Sequence, residues 1–180
     1  MTNSDKNSNK TTYKMNKLYI FFFIILTCSC STRNEKKEKA VEIKRVETTT
    51  PDFNVALKFI NDYANHCDKL MKKEIVDSNW VYNNNLLTES FKKRHKFVID
   101  SAFIEDPEIG LDSDPIFDAQ DYPDNGFEIR NKDKSTGFVT VQGKDWKDYI
   151  VVLKVVSQNG KWLVDGAGII NIPTDKRAER

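Results

Sequence analysis

The sequence predicts an α+β domain, with helices leading and an antiparallel meander following. Three observations carry that expectation. Apolar residues recur every three or four positions from Phe53 to Met71. Tyr149–Val156 is a near-continuous apolar, β-branched run. Asn159-Gly160 follows it, a strong hairpin-turn signal, and an alternating stretch returns over residues 161–170.

The first helix is marked at its start. Thr50 suits an N-cap, Pro51 the first helical position, and Asp52 the positive end of the helix dipole. Phe53, Leu57, Ile60, Ala64, Cys67 and Met71 then form an apolar stripe, widened by Ala56, Phe59, Tyr63 and Leu70. The spacing predicts a long amphipathic helix of about 20 residues, broad enough to lie across a sheet.

Residues 77–104 read as two shorter helices. Trp80, Val81 and Tyr82 form a small apolar knot that Asn83-Asn84-Asn85 breaks. Thr88 caps a second helix through Phe91, His95, Val98 and Ile99, with Lys92, Lys93, Arg94 and Lys96 outward.

Between Phe97 and Ile129 there is no Lys or Arg, but there are ten acids. Prolines 107, 115 and 123 and glycines 110 and 126 make most of this interval irregular. Three readings stand side by side. The segment is a solvated acidic loop, or a calcium or cationic-partner site, or a loop whose Asp118, Gln120 and Asp121 cap backbone amides. An EF-hand fails, because Pro115 follows Asp114 and no Glu closes the loop.

Four strands complete the domain: Phe127–Arg130, Thr136–Gln142, Tyr149–Val156 and Lys161–Ile170, with a bulge expected at Asp165-Gly166. The third reads as a central strand. The sheet is expected to be curved, with its helices packed on one face.

Upstream of the domain, Lys17 precedes an unbroken apolar run from Leu18 to Leu26, then Thr27-Cys28-Ser29-Cys30. Nine apolar residues are too few for a hydrocarbon core, which needs about 20. This stretch resembles a bacterial lipoprotein signal peptide with its lipobox. The resemblance implies cleavage after residue 29 and acylation of Cys30, with Cys28 the poorer fit because Thr27 precedes it. Residues 30–50 then form the lipidated cysteine and a charged tether, too poor in apolar groups to fold. Residues 51–173 are the domain and 174–180 a disordered tail. Translation starts at Met1 or at Met15.

The order of elements and the closing Asn159–Gly166 run resemble the cystatin-like superfamily that includes nuclear transport factor two. The stretch from Asp114 to Pro123, with its Phe117-Asp118-Ala119-Gln120-Asp121 core, is similar to a segment of an uncharacterised bacterial lipoprotein family with a domain of unknown function. That family implies a compartment and a fold, but no activity.

Charge and composition narrow the chemistry. The whole chain is at +1, and loss of residues 1–29 leaves about −2. A nucleic-acid partner needs a basic face, which this balance does not supply. Cys67 is the one cysteine beyond the lipobox, so no disulfide forms within the mature domain. It reads as a small buried apolar side chain, with a reactive thiol as the alternative. Cys67, His66 and His95 are too few for structural zinc, and no cofactor is expected. No phosphate-binding glycine loop, HExxH or nucleophile elbow occurs.

These readings point to a lipid-anchored protein of the bacterial cell envelope. Its domain is expected to act as a binding module for an envelope protein partner. The concave sheet face and the acidic segment (Asp114, Asp118, Gln120 and Asp121) would make the contact, with Trp146 as an aromatic anchor. Two alternatives remain. One is a small-pocket isomerase or dehydratase using Tyr63 and His66 between helix and sheet, with Asp62 nearby. The other is an immunity or inhibitor protein that binds a basic enzyme.

Overall fold

A computed structural model describes residues 50–77 and 79–179. The expected signal peptide, Cys28, Cys30 and nearly all of the tether lie outside the described residues. The described part is mixed α+β. Helix α1 spans Asn54–Met71, α2 Trp80–Asn83 and α3 Glu89–Glu105. Strands β1 (Phe127–Lys132), β2 (Phe138–Gly143), β3 (Ile150–Gln158) and β4 (Lys161–Ala167) follow. They form one antiparallel sheet in the order β1-β2-β3-β4.

Helix α1 starts later than its sequence signals suggest. Thr50 does not cap it. Asp52 accepts the Asn54 amide at 3.0 Å, and Phe53 occupies the cap position with helical dihedrals. Burial of Phe53 in the core fixes where the first turn begins. At the other end Lys73 takes φ +58°, while the Lys73 and Glu74 amides bond back to Leu70 and Lys69. This is a Schellman closure with lysine where glycine is usual.

The inner face of the sheet is closed by α1. Phe59 and Ile60 meet Val139, Val141, Val151, Leu153, Val155 and Val164 in one core. Strand β3 alternates: Val151, Leu153 and Val155 face inward, while Val152 and Val156 are half-buried on the outer face. This face of the sheet, expected to make the contact, is therefore covered by the helix and is not free. Asn61 locks the register of helix on sheet. Its side chain accepts from the Phe127 amide at 2.8 Å and donates to the Phe127 carbonyl at 3.2 Å.

Two local signals form as expected. Asn159 and Gly160 both take positive φ, which matches a primed two-residue turn. Asp165 is the extra residue between Val164 and Gly166, and the bulge directs its carboxylate to the Thr88 hydroxyl at 2.7 Å. Thr88 also accepts the Phe91 amide at 3.0 Å, so one hydroxyl caps α3 and ties it to β4. Residues 86–88 bond alongside Val164 and cover the outer edge of β4.

The acidic segment is not a solvated lip throughout. Pro115, Ile116 and Phe117 are buried. The Phe117 ring stacks on Tyr122 at 4.5 Å and on Phe127 at 5.9 Å. Residues 174–176 form a 3₁₀ turn, and Arg177 Nε donates to the Ile172 carbonyl at 3.1 Å.

Candidate functional site

The side chains with chemical capacity gather on the flank of α1 that faces residues 75–77 and 79–86. At their base sits Tyr63, whose hydroxyl donates to Asp114 Oδ2 at 2.6 Å. Asp114 Oδ1 accepts the amides of Ile116 and Phe117 at 2.8 and 2.9 Å. The carboxylate thus shapes its own loop and fastens it to α1. It is Asp114, not Asp118, Gln120 or Asp121, that caps these amides. Tyr122 repeats the attachment one turn further along, donating to Asp68 at 2.8 Å.

Burial, then the Asp114 charge, pushes the Tyr63 hydroxyl far up, so Tyr63 stays protonated. The same two causes push the Cys67 thiol up to about 12. Cys67 therefore presents a neutral thiol at neutral pH and has no thiolate for nucleophilic attack.

His95 lies across the same pocket, its Nδ1 3.2 Å from the Tyr82 hydroxyl. Burial lowers its pKa, and Asp114 opposes that shift only in part. A depressed folded value means that the unfolded chain binds the proton more readily. Stability is then full above the unfolded value near 6.5 and falls as pH drops below it. Urea midpoints should drop between pH 7.5 and pH 5.5, and His95→Gln should flatten that drop. An unchanged slope in the variant would remove His95 as its cause.

Above this base lies an open groove. Trp80 packs along α1, with ring centroids 6.1 Å from Phe59, 5.6 Å from Tyr63 and 5.1 Å from His66. Three depressions share this indole. One of about 360 Å³ is lined by Asp62, Asn65, His66, Lys69, Ile75 and Asp77. A second, about 310 Å³, continues past Lys58 and Asp62 to Asn83, Asn84, Asn85 and Leu86. The third, about 140 Å³, opens toward Cys67 and His95. Lys58, Asp62, Asn65 and Lys69 recur at helical spacing, so one side of α1 is a continuous wall.

Tyr63 and His66 line the same small depression beside Trp80, with Tyr63 buried in the core cluster. Asp112, Gln120 and Asp121 are exposed, and Gln120 Nε2 donates to the Asp112 carbonyl at 3.2 Å. Asp118 is half-buried at φ +58°. Trp146 is 48 % exposed and leans on Tyr149 with centroids 5.0 Å apart. It lies in the β2–β3 turn, an element apart from the groove. Sequence reasoning missed Trp80 as the shared surface and His95 and Cys67 as neighbours of Tyr63. The one available signal was the run Asn83-Asn84-Asn85 directly after the apolar knot.

Among the described residues no group of His, Cys, Asp or Glu is arranged to hold a metal ion. No helix among them is long and apolar enough to cross a membrane. Comparison with protein-family models, curated proteins and solved structures finds no match.

Proposed function

We propose that this chain is a lipid-anchored binding module of the bacterial cell envelope, on a cystatin-like scaffold of the nuclear transport factor two type. The observation that carries the reading is the Trp80 groove: an open, polar-rimmed surface on a domain whose interior is filled. A small-pocket enzyme needs space between helix and sheet for a substrate. Here Phe59, Ile60, Ile116, Phe117 and Phe127 occupy that space, each at most 1 % exposed. Tyr63 is bonded to Asp114 and Cys67 is held neutral, so neither side chain offers a free acid or nucleophile there. The lipobox resemblance supports the anchor, and residues 31–50 would give the domain reach from the membrane.

Two experiments test the two halves of the proposal. Cys30→Ala should abolish palmitate labelling and move the protein out of the membrane fraction, while Cys28→Ala keeps both. Retained labelling in Cys30→Ala would sink the anchor as assigned. For the module, a photo-crosslinking residue in place of Asn85 should give adducts with envelope material in cells. The same residue at exposed Lys134, on the β1–β2 turn, should not. Equal yields at the two positions would remove the groove as the contact surface.

A further inference from the structure

The groove's chemistry selects among ligand classes. Resting on the binding-module reading, we propose that the Trp80 groove binds a neutral oligosaccharide, a short chain of pyranose rings. Its floor and its rim support this differently. The floor is a half-buried indole stacked on Phe59 and His66 and tilted against Tyr63, and it lines all three depressions. A rigid aromatic face suits the C–H side of a sugar ring and has little side-chain freedom to lose.

The rim is rich in primary amides. Asn65, Asn83 and Asn85 have no side-chain hydrogen bond among the described residues, while the Asn84 oxygen accepts the Leu86 amide at 2.8 Å. Each free amide has both donors and an acceptor, the pairing that vicinal hydroxyls require. Charge is balanced: Lys58 and Lys69 stand against Asp62 and Asp77, and Lys58 already contacts Asp62 at 2.6 Å. No net field remains to recruit a phosphate-rich or strongly ionic ligand.

Length and location exclude the other common occupants. Lys58 to Lys69 spans about 16 Å along the helix at 1.5 Å per residue. That is an elongated site, suited to several linked rings. An extended peptide would look for a free sheet edge, and this groove lies between a helix flank and residues 75–77 and 79–86. A docking helix would look for a long apolar trough, and here Lys58, Asp62, Asn65 and Lys69 interrupt the apolar surface along one wall.

The test uses the full-length chain in a non-glycosidic detergent, followed by NMR of its indole and side-chain amide protons. Chitotriose and maltotriose are titrated separately, so that acetamido-bearing and plain pyranose chains are told apart. At least one should shift the Trp80 indole and the Asn65, Asn83 and Asn85 amides saturably. Asn83→Ala and Asn85→Ala should each weaken binding about threefold to tenfold, one hydrogen bond apiece. Trp80→Ala should remove saturable binding, and Trp146→Ala should leave it unchanged. The two asparagine variants carry the test if Trp80→Ala does not fold.

No saturable shift with either sugar at about 10 mM, well into the weak-binding range, overturns the proposal. So do shifts that the asparagine variants leave unaltered, or saturable binding of trilysine or triaspartate instead. If crosslinks form at position 85 while both sugars fail, the binding module stands and the glycan assignment falls.

Discussion

Asp114→Ala should cost about 3 kcal/mol or more of folding stability, with a melting temperature lower by roughly 10 °C. The carboxylate accepts three hydrogen bonds, from the Ile116 and Phe117 amides and from the Tyr63 hydroxyl. Bonds to a charged acceptor each contribute about 1.5–3 kcal/mol, and the three are not independent, so their sum is an upper bound. Alanine leaves two amides and a hydroxyl beside buried Phe117 without partners. Asp114→Asn keeps an oxygen for the amides and loses the charge, so it should fall between alanine and wild type. Tyr63→Phe removes one bond only and should cost about 1–2 kcal/mol. Urea unfolding of the three variants checks the order. A loss below about 1 kcal/mol for Asp114→Ala would mean that the loop is held by its apolar residues alone.

Gly168→Ala attacks the same loop from the other side and should be of similar size. Gly168 sits just after β4 at φ +56°, where an L side chain costs roughly 1–2 kcal/mol. A Cβ there would lie 2.4 Å from the Pro115 carbonyl oxygen and 2.5 Å from that of Ile116. Those oxygens belong to backbone and cannot rotate away. The neighbouring Ile169 amide donates to Pro115 at 2.9 Å, so relief of the clash strains that bond too. A total of about 3 kcal/mol or more is expected, in the tail reserved for special backbone positions. The double variant Asp114→Ala/Gly168→Ala should lose less than the sum of the singles, because each already frees the 114–119 loop. Full additivity would show two separate weaknesses rather than one.

Both variants act on the part of the chain that was least legible in sequence. Ten acids without a lysine or arginine suggested a solvated, partner-facing segment. Composition averages over side chains, however, and here a few of them decide. Ile116 and Phe117 point inward, and Asp114 turns the backbone so that they can. What looked like a charged lip is largely an attached plug, with Asp112, Gln120 and Asp121 left on its surface. The histidines show the same limit. His66 and His95 lie 29 positions apart on different helices, and only packing brings both onto the pocket lined by Trp80.

What the sequence determined by itself is local. The stripe from Phe53 to Ala64, the Thr88 cap, the Asn159-Gly160 turn and the Asp165 bulge each depend on neighbours within a few residues, and each is legible for that reason; Leu70 and Met71, expected to continue the stripe, are exposed. The α+β order follows from those elements. The expected start of α1 at Thr50 failed because burial of Phe53, a tertiary contact, outweighed a cap preference of about 1 kcal/mol. Its Schellman end was hidden because a lysine stands where glycine would have announced it. Tertiary structure alone decided the groove. Its two walls, one row of α1 and residues 75–77 and 79–86, are separate in sequence and meet only because Trp80 packs against Phe59, Tyr63 and His66.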